Sequence, residues 1–193
     1  RTRAVLDDFR QRVRSAGLGE LHLNAVVWGE QILPGEEKIT DINRLLAALG
    51  FDSITSYVWI HHRPMPNFPR TSYAEFRELS VAEFAKFTAE YELPYYPNVT
   101  MGWDCTPRTI QSDVYDDLGY YPFMSILDGN TPEQFELALR QARQFLDRGL
   151  TKPKIVTINA WNEWTEGSYL EPDRIHGMKY LEAVRSVFPP NGP

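Results

Sequence analysis

The feature that most constrains the fold of this chain is the order in which short apolar runs and amphipathic stretches succeed one another. Residues 21–28, 52–59, 95–101, 122–127 and 154–161 are apolar or alternating runs of strand length. Helical patterns separate them. In 37–49, Ile39, Ile42, Leu45, Leu46 and Leu49 share one stripe, and in 73–91, Phe76, Leu79, Phe84 and Phe87 face inward. Further helices are predicted over 131–148 and 175–187, with an additional one over 3–15. The punctuation agrees with these assignments. Gly50 stands where a helix C-cap favours glycine, and Thr131-Pro132 with Gln134 spells an N-cap, a first-turn proline and a capping box. Strands alternating with helices at this spacing imply an α/β protein with a parallel sheet and helical crossovers.

Aromatic and polar residues collect just after each predicted strand: Trp28 and Glu30; Tyr57, Trp59 and His61; Trp103 and Asp104; Asp128 and Asn130; then the segment from Asn159 to Asp173. An eight-stranded βα barrel gathers such residues at its C-terminal face. A doubly wound sheet would carry a glycine-rich phosphate turn near its start, and the sequence has neither GxGxxG nor a P-loop. The reading is therefore a TIM-barrel type of fold with only about five βα units. Five strands leave open edges, which barrels avoid. Residues 1–193 are accordingly expected to be a single domain, the C-terminal portion of a barrel whose N-terminal strands lie in a longer parent protein.

The segment 159–173 is chemically the densest. It sets Glu163, Glu166 and Glu171 beside Asn159, Trp161, Asn162 and Trp164, directly after an apolar run. Rings that stack on sugars, amides that bond hydroxyls and closely spaced carboxylates are what a carbohydrate site needs. The segment's three glutamates are candidates for an acid and a base. Candidate substrate-binding residues are Trp28, Tyr57, Trp59, Trp103, Asp104, Asn130, Asn159, Trp161, Asn162, Trp164 and Glu171. Plainer roles compete at several positions. Glu171 and Asp173 are placed to cap the last helix, Asn159 and Asn162 to satisfy loop backbone, and alternation turns at least one of Trp28, Tyr57 and Trp59 toward the helices.

The partner expected from this segment is an oligosaccharide or polysaccharide; charge and composition exclude others. A net charge of −6 with no basic stripe argues against nucleic acid. No apolar run reaches the roughly 18 residues of a membrane span. One cysteine, Cys105, rules out an internal disulfide framework and reads as a packing residue. His61 and His62, adjacent on a strand, point to opposite faces; no metal site and no cofactor are expected. The chain opens Arg-Thr-Arg and assigns no compartment.

The run Trp161-Asn-Glu-Trp-Thr-Glu-Gly-Ser-Tyr-Leu-Glu-Pro-Asp173, with His176-Gly177, Tyr180-Leu181, Gly102-Trp-Asp-Cys-Thr-Pro-Arg108 and Asn130-Thr-Pro-Glu-Gln-Phe135, resembles the WbsX-like family, grouped with glycoside hydrolase family 99 and 71-like barrels. The resemblance covers essentially the whole chain. It implies a retaining glycoside hydrolase acting on α-linked glycans, similar to the endo-α-mannosidases. Glu163 would deprotonate the substrate's own 2-hydroxyl to form a 1,2-anhydro intermediate, and Glu166 would protonate the leaving group and then activate water. Residues three apart on a helical turn lie roughly 5–6 Å apart, near the roughly 5–5.5 Å of retaining pairs. The acid role calls for a raised Glu166 pKa, from the Glu163 charge and burial against Trp164 or Trp103. Two alternatives stand beside this reading. One is a glycosyltransferase of polysaccharide (O-antigen type) biosynthesis, for which Asp113–Asp117 and Arg108 are the only diphosphate-site candidates. The other is a non-catalytic carbohydrate-binding barrel.

Overall fold

The structure, a computed structural model, describes residues 1–28, 39–110 and 114–190. Its elements run in the predicted order. Helix α1 (Thr2–Ser15) precedes strand β1 (Asn24–Val27), and α2 (Ile42–Leu49) precedes β2 (Ser53–Ser56). A short β3 (Arg70–Ser72) leads into α3 (Tyr73–Glu90). Then come β4 (Tyr95–Tyr96), β5 (Asn98–Thr100) and β6 (Ile126–Asp128), followed by α4 (Pro132–Asp147). The chain continues with β7 (Thr157–Asn159), β8 (Asn162–Glu163), β9 (Ser168–Tyr169) and α5 (Lys179–Val187). Glu30, residues 37–38 of the predicted second helix, and Asp113 lie outside the described residues.

Local chemistry explains most boundaries. The Asp41 carboxylate accepts from the Arg44 backbone at 2.9 Å to start α2, and Gly50 ends it in the left-handed region at φ 73°. The Thr131 hydroxyl accepts from the Gln134 backbone at 3.4 Å to start α4, with Pro132 at the first position. The other half of that capping box is not made, because the Gln134 side chain accepts from Arg77 instead, at 2.5 Å. Helix α5 begins four residues later than predicted. Asp173 accepts from the backbone of Ile175 and His176, folding 173–177 into a turn rather than a first helical turn.

The pairing is parallel, as expected: β1 with β2, β2 with β4, β5 with β7, and β3 with β6. Pro97 separates β4 from β5, since proline has no N–H for the ladder. Its carbonyl still accepts from Thr157 at 3.0 Å. The segment 95–100 thus bridges β2 on one side and β7 on the other. Strand β2 is buried on both faces, and beside it Phe84 and Phe87 of α3 and Phe145 of α4 form an aromatic cluster with Tyr95 of β4. The edge of Phe135 against Tyr180, ring centres 5.8 Å apart, joins α4 to α5.

The predicted barrel order does not hold. In a barrel, the strand at 122–127 would stand between those at 95–101 and 154–161. Instead β5 pairs directly with β7, and β6 lies beside β3, tied to the 95–103 segment by one bond, Leu127 N–H to the Trp103 carbonyl at 2.8 Å. Among the described residues the strands form no closed barrel. Hydropathy periodicity identifies a strand but not its neighbour, and the irregular stretch before β6 leaves that strand free to choose another partner.

Candidate functional site

The segment after β7 is a small hairpin. Asn162 and Glu163 pair antiparallel with Tyr169 and Ser168, and a 3₁₀ turn over Trp164–Glu166 closes it. Three residues per 3₁₀ turn bring position 166 back over position 163. Gly167 then reverses the chain at φ 60°. No side chain fits there or at Gly102: a Cβ on Gly167 would stand 2.8 Å from the Asp104 Cβ, and one on Gly102 would stand 2.3 Å from the Gly167 carbonyl oxygen. The two glycines let the hairpin settle on residues 101–104. There the Asp104 N–H donates to the Glu166 carbonyl at 2.6 Å and the Tyr169 N–H to the Met101 sulfur at 2.8 Å.

Glu163 and Glu166 meet through one residue, Arg108. It ends a second 3₁₀ turn, Thr106–Arg108, held by the Asp104 carboxylate, which accepts from the Thr106 N–H at 3.0 Å and hydroxyl at 2.7 Å. Arg108 Nη2 donates to Glu163 Oε1 at 2.5 Å, and Nη1 lies 3.2 Å from Glu166 Oε1. Nη1 also bonds the Tyr121 hydroxyl at 2.5 Å, and Nε bonds the Thr165 hydroxyl at 2.9 Å. Tyr121 in turn donates to Glu166 Oε1 at 2.9 Å.

Burial divides the pair. The Glu166 side chain is nearly covered, whereas Glu163 is about one-third exposed. Burial pushes the Glu166 carboxyl above the ordinary range. The Tyr121 bond and the Arg108 charge pull it back, and the Glu163 charge adds the last upward contribution. The direction matches the sequence-based expectation, but burial leads and Glu163 follows. Burial, and then the bond to Glu166, raises the Tyr121 phenol to about 12, so it stays a donor. Burial also raises the Tyr57 phenol, with the Glu166 and Glu163 charges next, so Tyr57 lies within the field of the pair.

The other expected site residues divide. Trp28 and Tyr57 are partly exposed, and their rings centre 4.9 Å and 5.6 Å from that of His61. Trp161 is exposed, with its carbonyl accepting from Leu170 and Glu171. Trp164 is 44% exposed, stacks on Tyr169 at 3.8 Å and donates its indole N–H to Glu171 at 2.7 Å, so Glu171 serves this plate rather than capping α5. Asn162 is exposed on the hairpin. Asn159 is buried beneath it, accepting from the Ser168 hydroxyl at 2.6 Å.

Four of the expected site residues make their contacts within the protein. Trp59 is 3% exposed, with its indole N–H on the Asn98 carbonyl and its ring against Tyr73; it is core. Strand β2 ends at Ser56, and the chain turns inward over Trp59–His61, so strand alternation no longer applies there. Trp103 is buried beside Tyr121. The Asp104 carboxylate holds the Arg108 turn, and Asn130 bonds the Met101 carbonyl beneath Gly102, so both are supports. Cys105 packs as expected, with its thiol on the Pro122 carbonyl at 2.8 Å. Tyr121 gave no sequence signal, because it lies in an irregular stretch. Arg108 stood in a family-like motif, but only the fold brings it to the glutamates.

Among the described residues no cluster of His, Cys, Asp and Glu could hold a metal, and no helix is long and apolar enough to cross a membrane. Comparison with known proteins bears on the family. The chain is 28% identical over 190 residues to uncharacterized proteins WxcX of two strains of Xanthomonas campestris pv. campestris, covering 93% of this chain. It spans about a quarter of their length (24%). No solved structure matches it. A family model described as Glycosyltransferase WbsX matches residues 1–184. That description overturns the expected glycoside hydrolase, since it names transfer rather than hydrolysis. The hydrolase reading rested on residue roles carried over from family 99, and two glutamates at this spacing do not by themselves distinguish the two chemistries. With nearly its whole length matched, this chain belongs to the Glycosyltransferase WbsX family.

Proposed function

We propose that the chain provides the acceptor side of a glycosyl transfer in saccharide assembly, with Glu163 and Glu166 as its catalytic pair. The observation that carries this is the joining of both carboxylates by one guanidinium beside Tyr57, in a chain of a family named for glycosyl transfer. In such a transfer an acceptor hydroxyl forms a bond to the donor's anomeric carbon, the bond from that carbon to the leaving group breaks, and the hydroxyl proton needs a base. Glu163, the more exposed carboxylate and ion-paired with Arg108, is that base. Glu166, buried and bonded by Tyr121, hydrogen-bonds the acceptor and holds its hydroxyl toward Glu163. The exposed rings of Trp164, Trp161, Tyr57 and Trp28 offer faces for sugars. The barrel becomes a proposal of the same kind: β1, β2, β4 with β5, and β7 would be one arc of a barrel completed elsewhere in a parent protein.

The test incubates the protein, at its full natural length, with nucleotide-diphosphate and lipid-diphosphate sugars and a panel of oligosaccharide acceptors. Mass spectrometry reads acceptor extension. Wild type is expected to extend an acceptor and Glu163→Gln to lose on the order of 10²–10⁴-fold in rate. Full activity in Glu163→Gln, or binding without extension in both forms, would reject the assignment.

A further inference from the structure

We propose that Arg108 is the positioning residue of this site, orienting both carboxylates so that each turns one oxygen to the guanidinium and leaves the other for the ligand; this rests on the transfer reading above. The hydrogen bonds support it directly. Arg108 and its hydroxyl partners reach only Oε1 of Glu163 and Oε1 of Glu166, and among the described residues neither Oε2 has a hydrogen bond. The guanidinium is itself fixed on every side. Nε goes to Thr165, Nη1 to Tyr121 and Glu166, Nη2 to Glu163, and its central carbon lies 5.7 Å from the centre of the Tyr121 ring. The turn that delivers it is held by Asp104, whose backbone is bonded to Glu166. Clamp and pair are thus one hydrogen-bonded unit.

A role confined to fold stability fits less well. Arg108 is about one-third exposed, and ion pairs at that exposure add little to stability. What only arginine supplies is a planar fork that bridges two carboxylates and a phenol at once. Lysine keeps the charge but, as a single point donor, cannot hold that geometry. The clamp also limits what binds. With four of the five Arg108 N–H donors already bonded, the fork that would grip a phosphate or uronate through two bonds is taken, and the ligand between the glutamates is a neutral, hydroxyl-bearing sugar.

The experiment compares Arg108→Lys and Arg108→Gln with Glu163→Gln and Glu166→Gln, reading transfer rate against pH, kcat and KM separately, melting temperature, and the carboxyl titration of Glu166 by ¹³C NMR. Arg108→Lys is expected to lose on the order of 10²-fold in kcat, with little change in acceptor KM, melting temperature or the position of the pH profile. Arg108→Gln is expected to lose at least as much and to move both the profile and the Glu166 titration to higher pH, because the Arg108 charge now lowers that carboxyl. Normal kcat in Arg108→Lys, or an unmoved Glu166 titration in Arg108→Gln, would overturn the clamp. If both glutamate variants keep full activity, the transfer reading fails instead. The titration still decides the clamp in that case, because it needs no substrate.

Discussion

Two 3₁₀ turns of three residues each, both opened by tryptophan, one beyond parallel strand β2 and one closing the antiparallel hairpin of β8 and β9, have opposite fates. Trp59–His61 after β2 turns into the protein: all three residues are buried, and the Trp59 indole bonds a backbone carbonyl of β5. Trp164–Glu166 between β8 and β9 leaves its tryptophan on the surface and buries a carboxylate. Both turns stand in clusters of aromatic and polar residues, and composition alone does not say which tryptophan stays outside. What separates them is where the polar atoms find partners. The first turn satisfies both N–H groups of Trp59 with Thr100 and Asn98 of β5. The second lies in a hairpin too small to cover itself, and it satisfies its carboxylates with side chains from a distant irregular stretch. That arrangement leaves two carboxylate oxygens and exposed aromatic faces over.

The largest effect expected of this contrast is on stability at the first turn. Trp59→Ala removes a fully buried ring and leaves the Asn98 carbonyl unpaired; a loss of about 3–5 kcal/mol in denaturant unfolding is expected. Next is Gly167→Ala, which forces a left-handed residue against the Asp104 Cβ. A cost of about 1–3 kcal/mol is expected, with weaker acceptor binding because the hairpin lifts from residues 101–104. Trp164→Ala sharpens the comparison from the other side. Unfolding should change by no more than about 1 kcal/mol, while calorimetry should find acceptor binding weakened a few-fold to tenfold, from lost stacking of about 0.5–1.5 kcal/mol.

The smallest effect is in pH dependence. Glu166 has a raised carboxyl in the folded state, so between the ordinary carboxylate value and the raised one the folded chain holds a proton that the unfolded chain has released. That contribution is full below the ordinary value and is lost as pH rises through the raised one. Glu166→Gln removes it. Melting temperatures of the variant should therefore fall less steeply than those of wild type as pH rises through that window. A steeper fall would mean that Arg108 and Tyr121 outweigh burial.

How much of this was legible before the fold is clear from particular residues. Gly50, Thr131 and Pro132 mark helix ends, and the apolar stripe on α3 places Phe76, Phe84 and Phe87 inward, because capping and amphipathicity are local. The stripe before and on α2 was partly misleading: Ile39 and Leu45 are exposed. The partner of β6 was not legible, since strand pairing depends on residues far apart in sequence. At the site, the glutamate pair was proposed from the family resemblance, with which the three-residue spacing is compatible. Its clamp was not legible, because Arg108 and Tyr121 reach it from 55 and 45 residues away.

The most direct test is a paired measurement of glycosyl transfer per folded molecule and melting temperature, on Glu166→Gln and Trp59→Phe. For Glu166→Gln the expected result is transfer reduced by at least 10²-fold with melting temperature at neutral pH unchanged or higher. For Trp59→Phe it is a lower melting temperature with transfer per folded molecule retained. Transfer that survives Glu166→Gln, or that is lost in folded Trp59→Phe, would place the chemistry at the wrong turn and contradict the assignment.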